Sequence, residues 1–398
     1  MTKRRVLISG AGIAGPALAY WLGGHGFDVT VVERALTLRE GGQAVDFRGP
    51  VHREVLERMG LWEPIHQHRT QGCDLVMLDR RGRPVLTLPS VMMSGDVEIL
   101  RGDLSRLLYE RSASSTCYRF GDEITDLTQS EESVTVGFSS GAAERYDLVV
   151  GADGLHSGVR SLAFGDESRF LVHHGYRLAT FSLPDVFDTG GRAYSYTVPG
   201  HSLMVKSEGD GRARASFIFI GAALGEERGD VARLRVLLRE AFRRLGWWGP
   251  RLLSHLDEAT DLYVDQIGSI SIDRYSSGRV VLLGDAAYGG TLGGQGTSLA
   301  IVGAYVLAGE LVAAQGDVGT AFARYEALMR PYATRGQQGA KNVGPFFAPR
   351  TKHGLVLRDL FYRVMTSRLF IRRFEKMVKA SASGFELPRY AHPAGRST

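Results

Sequence analysis

Four groups of residues in this 398-residue chain have types and spacing suited to chemistry. They are the glycines of Gly10-x-Gly12-x-x-Gly15, then Glu33, Asp153 and Asp285, the last three each closing an apolar run. Glycines placed after a strand let the backbone turn tightly and approach a diphosphate, whose charge is met by free amide N–H groups at the start of the next helix. An acid about twenty residues further on accepts hydrogen bonds from a ribose and repels a 2′-phosphate. The pattern therefore suits FAD or NAD over NADP at this site, with Ile13 and Ala14 supplying amides beside the glycines.

These residues need particular elements to hold them. "RVLISGAGIAGPALAYWLGGHGFDVTVVER" reads as a strand over Val6–Ser9, a helix over Ile13–Gly23 with Pro16 in its first turn, and a second strand over Val29–Val32 ending at Glu33. A basic start before 19 uncharged residues also has the outline of a secretory leader, but its glycine and serine punctuation fits strand, turn and helix better. Further on, "YDLVVGADGLHSGVRSLAFG" places Asp153-Gly154 after a buried strand, followed by Ser157 and Arg160. In "RVVLLGDAAYGGTLGGQGTSLA" the strand Val280–Leu283 stops at Gly284 and Asp285, and a helix starts at Gly296 and Thr297.

The three motifs, in this order, resemble the flavin-dependent aromatic hydroxylases, the para-hydroxybenzoate hydroxylase superfamily of single-component FAD monooxygenases. The likeness covers most of residues 4–345, and the strand-D-G-x-x-S-x-x-R motif is complete at Asp153, Gly154, Ser157 and Arg160. It implies an α/β fold: a Rossmann-like FAD-binding domain with an inserted sheet-based substrate domain and C-terminal helices. The expected division is 1–72, 98–168 and 268–345 for FAD, 73–97 and 169–267 for substrate, and 346–398 for bridging helices and tail.

The resemblance further implies that Asp285 receives the ribityl hydroxyls, that Asp153 lies near the pyrophosphate, and that amides at Gly296 and Thr297 favour negative charge on the reduced flavin ring. Arg34 follows the ribose-binding acid, and Arg101, in "EILRGDLSRLLYE", is the implied pyrophosphate or ribityl contact. Arg39 and Asp46 flank the loop expected beside the flavin, although surface or turn roles suit both. Ile124 marks a backbone contact to adenine while its side chain reads as core.

The implied activity is insertion of one oxygen atom from O2 into an aromatic or polycyclic substrate through a C4a-hydroperoxyflavin, with NADH or NADPH as transient reductant. Hydroxylation, epoxidation and Baeyer–Villiger insertion all remain open. The alternatives are a flavin dehydrogenase or reductase without oxygen insertion, and a cyclase-like or binding protein with vestigial flavin. Short members of the superfamily that degrade tetracycline or tailor polyketides are similar in length. Two departures stand out: Tyr288 replaces the usual histidine after Asp-Ala-Ala, and Gly303 replaces an acid in the following helix. The 288–296 loop also lacks proline and is about one residue short.

For the substrate wall, 75–89 reads as a hairpin and 192–222 as antiparallel strands. Alternation sets Tyr194 and Tyr196 on one face, and Phe217 and Phe219 on one face, with either substrate or core as their surroundings. Arg177 is the polar substrate candidate. Cys73, Cys117, His173 and His174 lack metal-ligand or disulfide-framework spacing, so no metal is expected. Net charge is +5, yet residues 350–379 alone carry +7, leaving −2 for the rest. Nucleic-acid binding is thus not expected. The C-terminal run has Leu357, Phe361, Val364, Leu369 and Phe374 at helical spacing, which suits either membrane-surface attachment or, preferably, bridging helices with a solvated charged face. A cytoplasmic monomer or homodimer without stable membrane insertion is the resulting expectation.

Overall fold

The computed structural model describes residues 3–39, 42–70, 72–93, 95–209, 211–225, 227–292, 296–366, 370 and 385–391. Its first unit follows from short apolar runs punctuated by glycine. Arg5–Ser9 pairs in parallel with Asp28–Glu33 on one side and Leu148–Gly151 on the other. Val280–Leu282 extends this parallel arrangement beyond Leu148–Gly151, Thr116–Phe120 extends it beyond Asp28–Glu33, and Ser276–Ser277 closes one edge antiparallel. Strands buried on both faces read as continuous apolar runs, and Val6, Leu7, Ile8 and Val280–Leu283 are indeed fully buried. Asp153 and Asp285 follow the carboxyl ends of adjacent strands, and the Gly10 turn follows the next, which is where open α/β sheets place ligands.

Helix Gly296–Ala313 is largely apolar because helices Ala14–Gly24, Val318–Phe347 and Pro50–Arg58 surround it. Among the described residues it is the one helix long and apolar enough to cross a membrane, and 78% of it is buried inside the protein. Residues 385–391 return onto this helix. The Tyr390 hydroxyl donates to Glu310 at 2.6 Å, and Tyr305 donates to the Pro388 carbonyl.

The larger sheet has seven strands in the order Tyr263–Ile270, Leu171–Pro184, Arg212–Ile220, His201–Gly209, Ala193–Val198, Leu75–Leu78 and Pro84–Leu88. The run 192–206 is split by a turn at Pro199-Gly200, with Gly200 at φ 76°, so it forms two antiparallel strands. Helices Val231–Phe242 and Gly249–Ser254 cover its back face and enclose a core of Phe181, Tyr196, Phe217, Phe219, Leu238 and Phe242.

Helix Lys352–Met365 overturns the expectation of a solvated charged face. It buries Tyr362 and the Arg358 side chain and leaves Val356, Leu357, Leu360, Phe361 and Val364 exposed. Leu369 and Phe374 lie outside the described residues.

Candidate functional site

The glycines of the first turn serve three different physical ends. Gly10 has φ +105°, and a Cβ there would lie 2.5 Å from the Ala152 carbonyl oxygen and 2.9 Å from Asp153 Cα. A Cβ on Gly15 would lie 1.9 Å from the Gly10 carbonyl oxygen, whereas one on Gly12 meets nothing within 4 Å. Gly10 thus lets the Asp153 segment come close, Gly15 seats the helix on its own turn, and Gly12 borders open space. Helix Ala14–Gly24 has no side-chain cap at Ile13, so its first amides are free for an anion. Ser105 donates to the Ala11 and Gly12 carbonyls at 3.3 and 3.1 Å. This satisfies the outward side of the turn; Ser105 carries no local sequence signal for such a role.

This contrast yields a test. Gly12→Ala is expected to keep the melting temperature within about 2 °C while weakening FAD binding at least about tenfold, because its methyl enters only the open space. Gly15→Ala is expected to lose folded protein, because its methyl must displace backbone. Thermal melts and FAD fluorescence titrations on both variants check the pair.

Glu33 has a second role that the motif does not reveal. Its carboxylate accepts from Ala11 N–H at 2.9 Å and Ala35 N–H at 3.0 Å, tying the glycine turn to the second strand. Beyond it, Arg34, Arg39, Gly121, Asp122, Glu123 and Ser139 line an open cleft of about 570 Å³. Ile124 is 9% exposed and packs in the core.

Asp153 is turned inward. It accepts from the Ser157 hydroxyl and from Val159 N–H at 3.1 Å, at the head of helix Gly158–Phe164. Burial pushes its carboxyl above the ordinary range, against the pull of these donors. Arg160, fully buried, donates to the Ala286 carbonyl at 2.9 Å and the Leu155 carbonyl at 2.7 Å. The D-G-x-x-S-x-x-R motif thereby clamps the turn that carries Asp285.

Asp285 is the opposite case. Gly284, at φ +65°, packs so that a Cβ would lie 3.1 Å from Ala14 Cβ and 3.5 Å from Ala300 Cβ, bringing three segments together. The Asp285 carboxylate accepts no hydrogen bond from the described residues. Burial raises its carboxyl above the ordinary range, and the charge of Arg101 opposes the rise. Arg101, exposed at the start of helix Arg101–Ala113, makes no ion pair among the described residues. A carboxylate and a guanidinium without partners among the described residues, uncapped amides and the space at Gly12 suit a molecule with sugar hydroxyls and a diphosphate, so the residues fit FAD. Asp46 instead pairs with Arg48 at 2.8 Å and lies on the two-stranded ladder Ala44–Phe47 with Val97–Leu100.

Residues Gly290 and Thr291, which follow Asp285, dock onto the edge of the seven-stranded sheet: Gly290 bridges Ser269, and Thr291 N–H donates to the Gly268 carbonyl at 2.9 Å. Gly296 and Thr297 open the next helix, and a Cβ on Gly296 would lie 3.2 Å from Asp285 Oδ1. Residues 293–295 of the glycine loop lie outside the described residues.

The register of the sheet corrects the substrate candidates. Opposed residues share a face, so Tyr263, Thr180, Ser216, Met204, Ser195 and Met77 form one row across it. The next row holds Asp265, Leu178, Ile218, Ser202 and Thr197. Leu178 and Ile218 cluster with Leu292 of the glycine loop, so this front face is the one turned to the Asp285 side. Arg177, Tyr194, Tyr196, Phe217 and Phe219 alternate onto the back face. Phe217 is 0% exposed, Tyr196 stacks on Trp247, and Tyr194 meets Trp248 edge-on. Arg177 donates to the Ala222 and Ala223 carbonyls. These five are core and scaffold, because the helices that cover the back face come later in the chain. No group of three or more His, Cys, Asp or Glu suited to a metal occurs among the described residues.

Comparison with known proteins agrees with this geometry. Residues 3–340 match the family described as "FAD binding domain". An uncharacterised protein of Mycobacterium tuberculosis is 39% identical over 371 residues, covering 89% of this chain and 100% of the relative. A flavin-dependent monooxygenase of Legionella longbeachae is 34% identical over 399 residues, covering 97% and 98%. The crystal structure of tetracycline destructase Tet(51) superposes with a TM-score of 0.83 at 31% identity, covering 98% of this chain and all of that one. With the glycine turn and the Asp153 and Asp285 segments following three adjacent parallel strands, the chain belongs to the FAD-dependent aromatic hydroxylase superfamily and is a flavoprotein monooxygenase.

Proposed function

We propose that the protein inserts one oxygen atom from O2 into an oxygenated aromatic or polycyclic substrate, with NADH or NADPH reducing the bound flavin. The observation that carries this reading is the backbone pairing of Gly290 and Thr291 with Gly268 and Ser269, which joins the Asp285 turn to the front wall of the larger sheet. That wall alternates hydroxyls (Thr180, Ser195, Thr197, Ser202, Ser216) with apolar groups (Met77, Leu178, Met204, Ile218), a lining that suits a flat ring system carrying polar substituents.

Reduced FAD supplies oxygen activation when bound; the chain supplies the setting. Amides at Gly12, Ile13 and Ala14, with Arg101, hold the diphosphate, Asp285 accepts from the ribityl chain, and Glu33 accepts from the ribose. The N-terminal amides of helix Gly296–Ala313 favour negative charge at the ring edge by about 0.3–2 kcal/mol. In this reading segments 1–72, 98–168 and 268–345 form the nucleotide-binding part, and 73–97 and 169–267 the substrate part.

NAD(P)H consumption under 18O2 with tetracycline and a panel of polycyclic phenols tests the proposal. Product carrying one 18O atom is expected, with one NAD(P)H consumed per oxygen inserted. Anaerobic turnover with an electron acceptor, and no label in the product, would instead show a dehydrogenase.

A further inference from the structure

His156 lies two residues beyond the Asp153-Gly154 turn. Its Nδ1 lies 3.0 Å from Glu167 Oε2 and its Nε2 lies 3.0 Å from Asp265 Oδ2. Ionised carboxylates only accept, so both ring nitrogens must donate, and a ring with two N–H groups is the imidazolium. Both acids are held ionised by further donors. Glu167 accepts from Arg160 at 3.2 Å and Arg228 at 2.8 Å. Asp265 accepts from the Gln266 N–H at 2.7 Å and from the Tyr263 hydroxyl at 2.7 Å.

The Tyr263 proton is thereby committed to Asp265, and the lone pairs of its oxygen are left to accept. Tyr263 opens the edge strand of the larger sheet, shares the front-wall row with Thr180, Ser216 and Met204, and is 46% exposed. The strand it opens is the one joined to the Asp285 turn by the Gly290–Ser269 and Thr291–Gly268 pairings.

We propose that Tyr263 contacts the bound substrate, its oxygen accepting a hydrogen bond from a phenolic or enolic hydroxyl, and that Asp265 and His156 are positioning residues that fix this polarity. The proposal rests on the oxygenase reading of the same site and narrows its substrate class to ring systems that present a hydroxyl donor at this end of the wall. A tyrosine free to rotate could donate or accept; one tied to an ionised acid can only accept.

The groups that face His156 also set the pH at which the arrangement changes. Burial by itself lowers the imidazole pKa, but Asp265 and Glu167 outweigh burial and raise it above 6.5. Glu167 is drawn down to about 2. The imidazolium therefore persists above its ordinary value. It is lost as pH rises through the raised value, and one ring nitrogen then sets a lone pair against a carboxylate.

The test uses FAD-loaded protein, with 2,7-dihydroxynaphthalene, whose hydroxyls are free to donate, and its dimethyl ether as probes and flavin fluorescence as the readout of binding. Wild type is expected to prefer the diol by about tenfold or more, the scale of one buried hydrogen bond. Tyr263→Phe is expected to abolish that preference while leaving the affinity for the ether unchanged. In wild type the preference should decline as pH rises through the His156 titration, and His156→Gln should remove this pH dependence. A merely structural histidine would change affinity for both probes alike. Side-chain 15N NMR provides a ligand-free check: His156 should carry protons on both nitrogens at pH 7. Retention of the diol preference in Tyr263→Phe, equal affinity of wild type for both probes, zero included, or a neutral His156 at pH 7 would each overturn the proposal. Binding is read without NAD(P)H or oxygen turnover, so failure of the 18O experiment is a separate result.

Discussion

Replacing Asp285 by asparagine is expected to stabilise the FAD-free protein and to weaken FAD binding by about 10- to 150-fold, the loss of roughly 1.5–3 kcal/mol for a hydrogen bond to a charged group. Both effects have one cause. The carboxylate is held where burial raises its pKa, only the Arg101 charge opposes the rise, and no described residue donates to it. A carboxyl whose folded-state pKa lies above its unfolded value of 3.8 costs stability wherever the unfolded chain is ionised, and that cost disappears as pH falls through the raised value toward 3.8. Asparagine removes the cost at neutral pH, so the variant's melting temperature should exceed wild type at pH 7 and converge with it in acid. With FAD the order reverses, because ribityl hydroxyls then supply the donors that the protein withholds. Thermal melts with and without FAD, across pH, check both signs. A variant less stable without FAD and unchanged in affinity would remove Asp285 from the cofactor site.

The reach of the sequence follows from which contacts are local. The first βαβ unit is legible because glycine spacing, apolar runs and a terminal acid lie within one short segment, and each has a mechanism that needs no distant partner. Asp153 and Asp285 are recognisable as strand-end acids, but the sequence treats them alike. The fold separates them: Asp153 is consumed by Ser157 and Val159, while Asp285 is left unpartnered by the described residues. Alternation in the larger sheet correctly pairs Tyr194 with Tyr196 and Phe217 with Phe219. It cannot tell front from back, because helices Val231–Phe242 and Gly249–Ser254 decide that from elsewhere in the chain. The aromatic residues belong to the back face, and the serines and threonines of the front face carry no comparable stripe in the sequence. His156, Glu167 and Asp265 meet only through tertiary contact and give no joint signal.

The two departures from the superfamily pattern prove to be one feature. Tyr288 is fully buried, and a Cβ on Gly303 would lie 2.1 Å from its hydroxyl oxygen but 3.4 Å from its ring Cζ. The tyrosine fills the room that a side chain at 303 would take. Its hydroxyl also meets the Leu299 carbonyl at 3.4 Å and the Tyr325 hydroxyl at 3.3 Å. In an unconstrained helix interior, glycine to alanine stabilises by about 1 kcal/mol. Here Gly303→Ala is expected to destabilise by about 2–3 kcal/mol, since the methyl overpacks a rigid core. Tyr288→Phe alone should cost about 1 kcal/mol, because Tyr325 keeps its bond to the Leu282 carbonyl at 3.1 Å. Removing the hydroxyl leaves the 303 methyl 3.4 Å from the ring carbon, with only the Leu283 Cδ1 contact at 3.0 Å still to give way, so the double variant should be more stable than Gly303→Ala alone. Urea denaturation of the four proteins gives the coupling energy, expected at about 2 kcal/mol in favour of the pair. Additive losses would mean that tyrosine and glycine occupy these positions independently, and a stabilising Gly303→Ala would show that Tyr288 packs elsewhere.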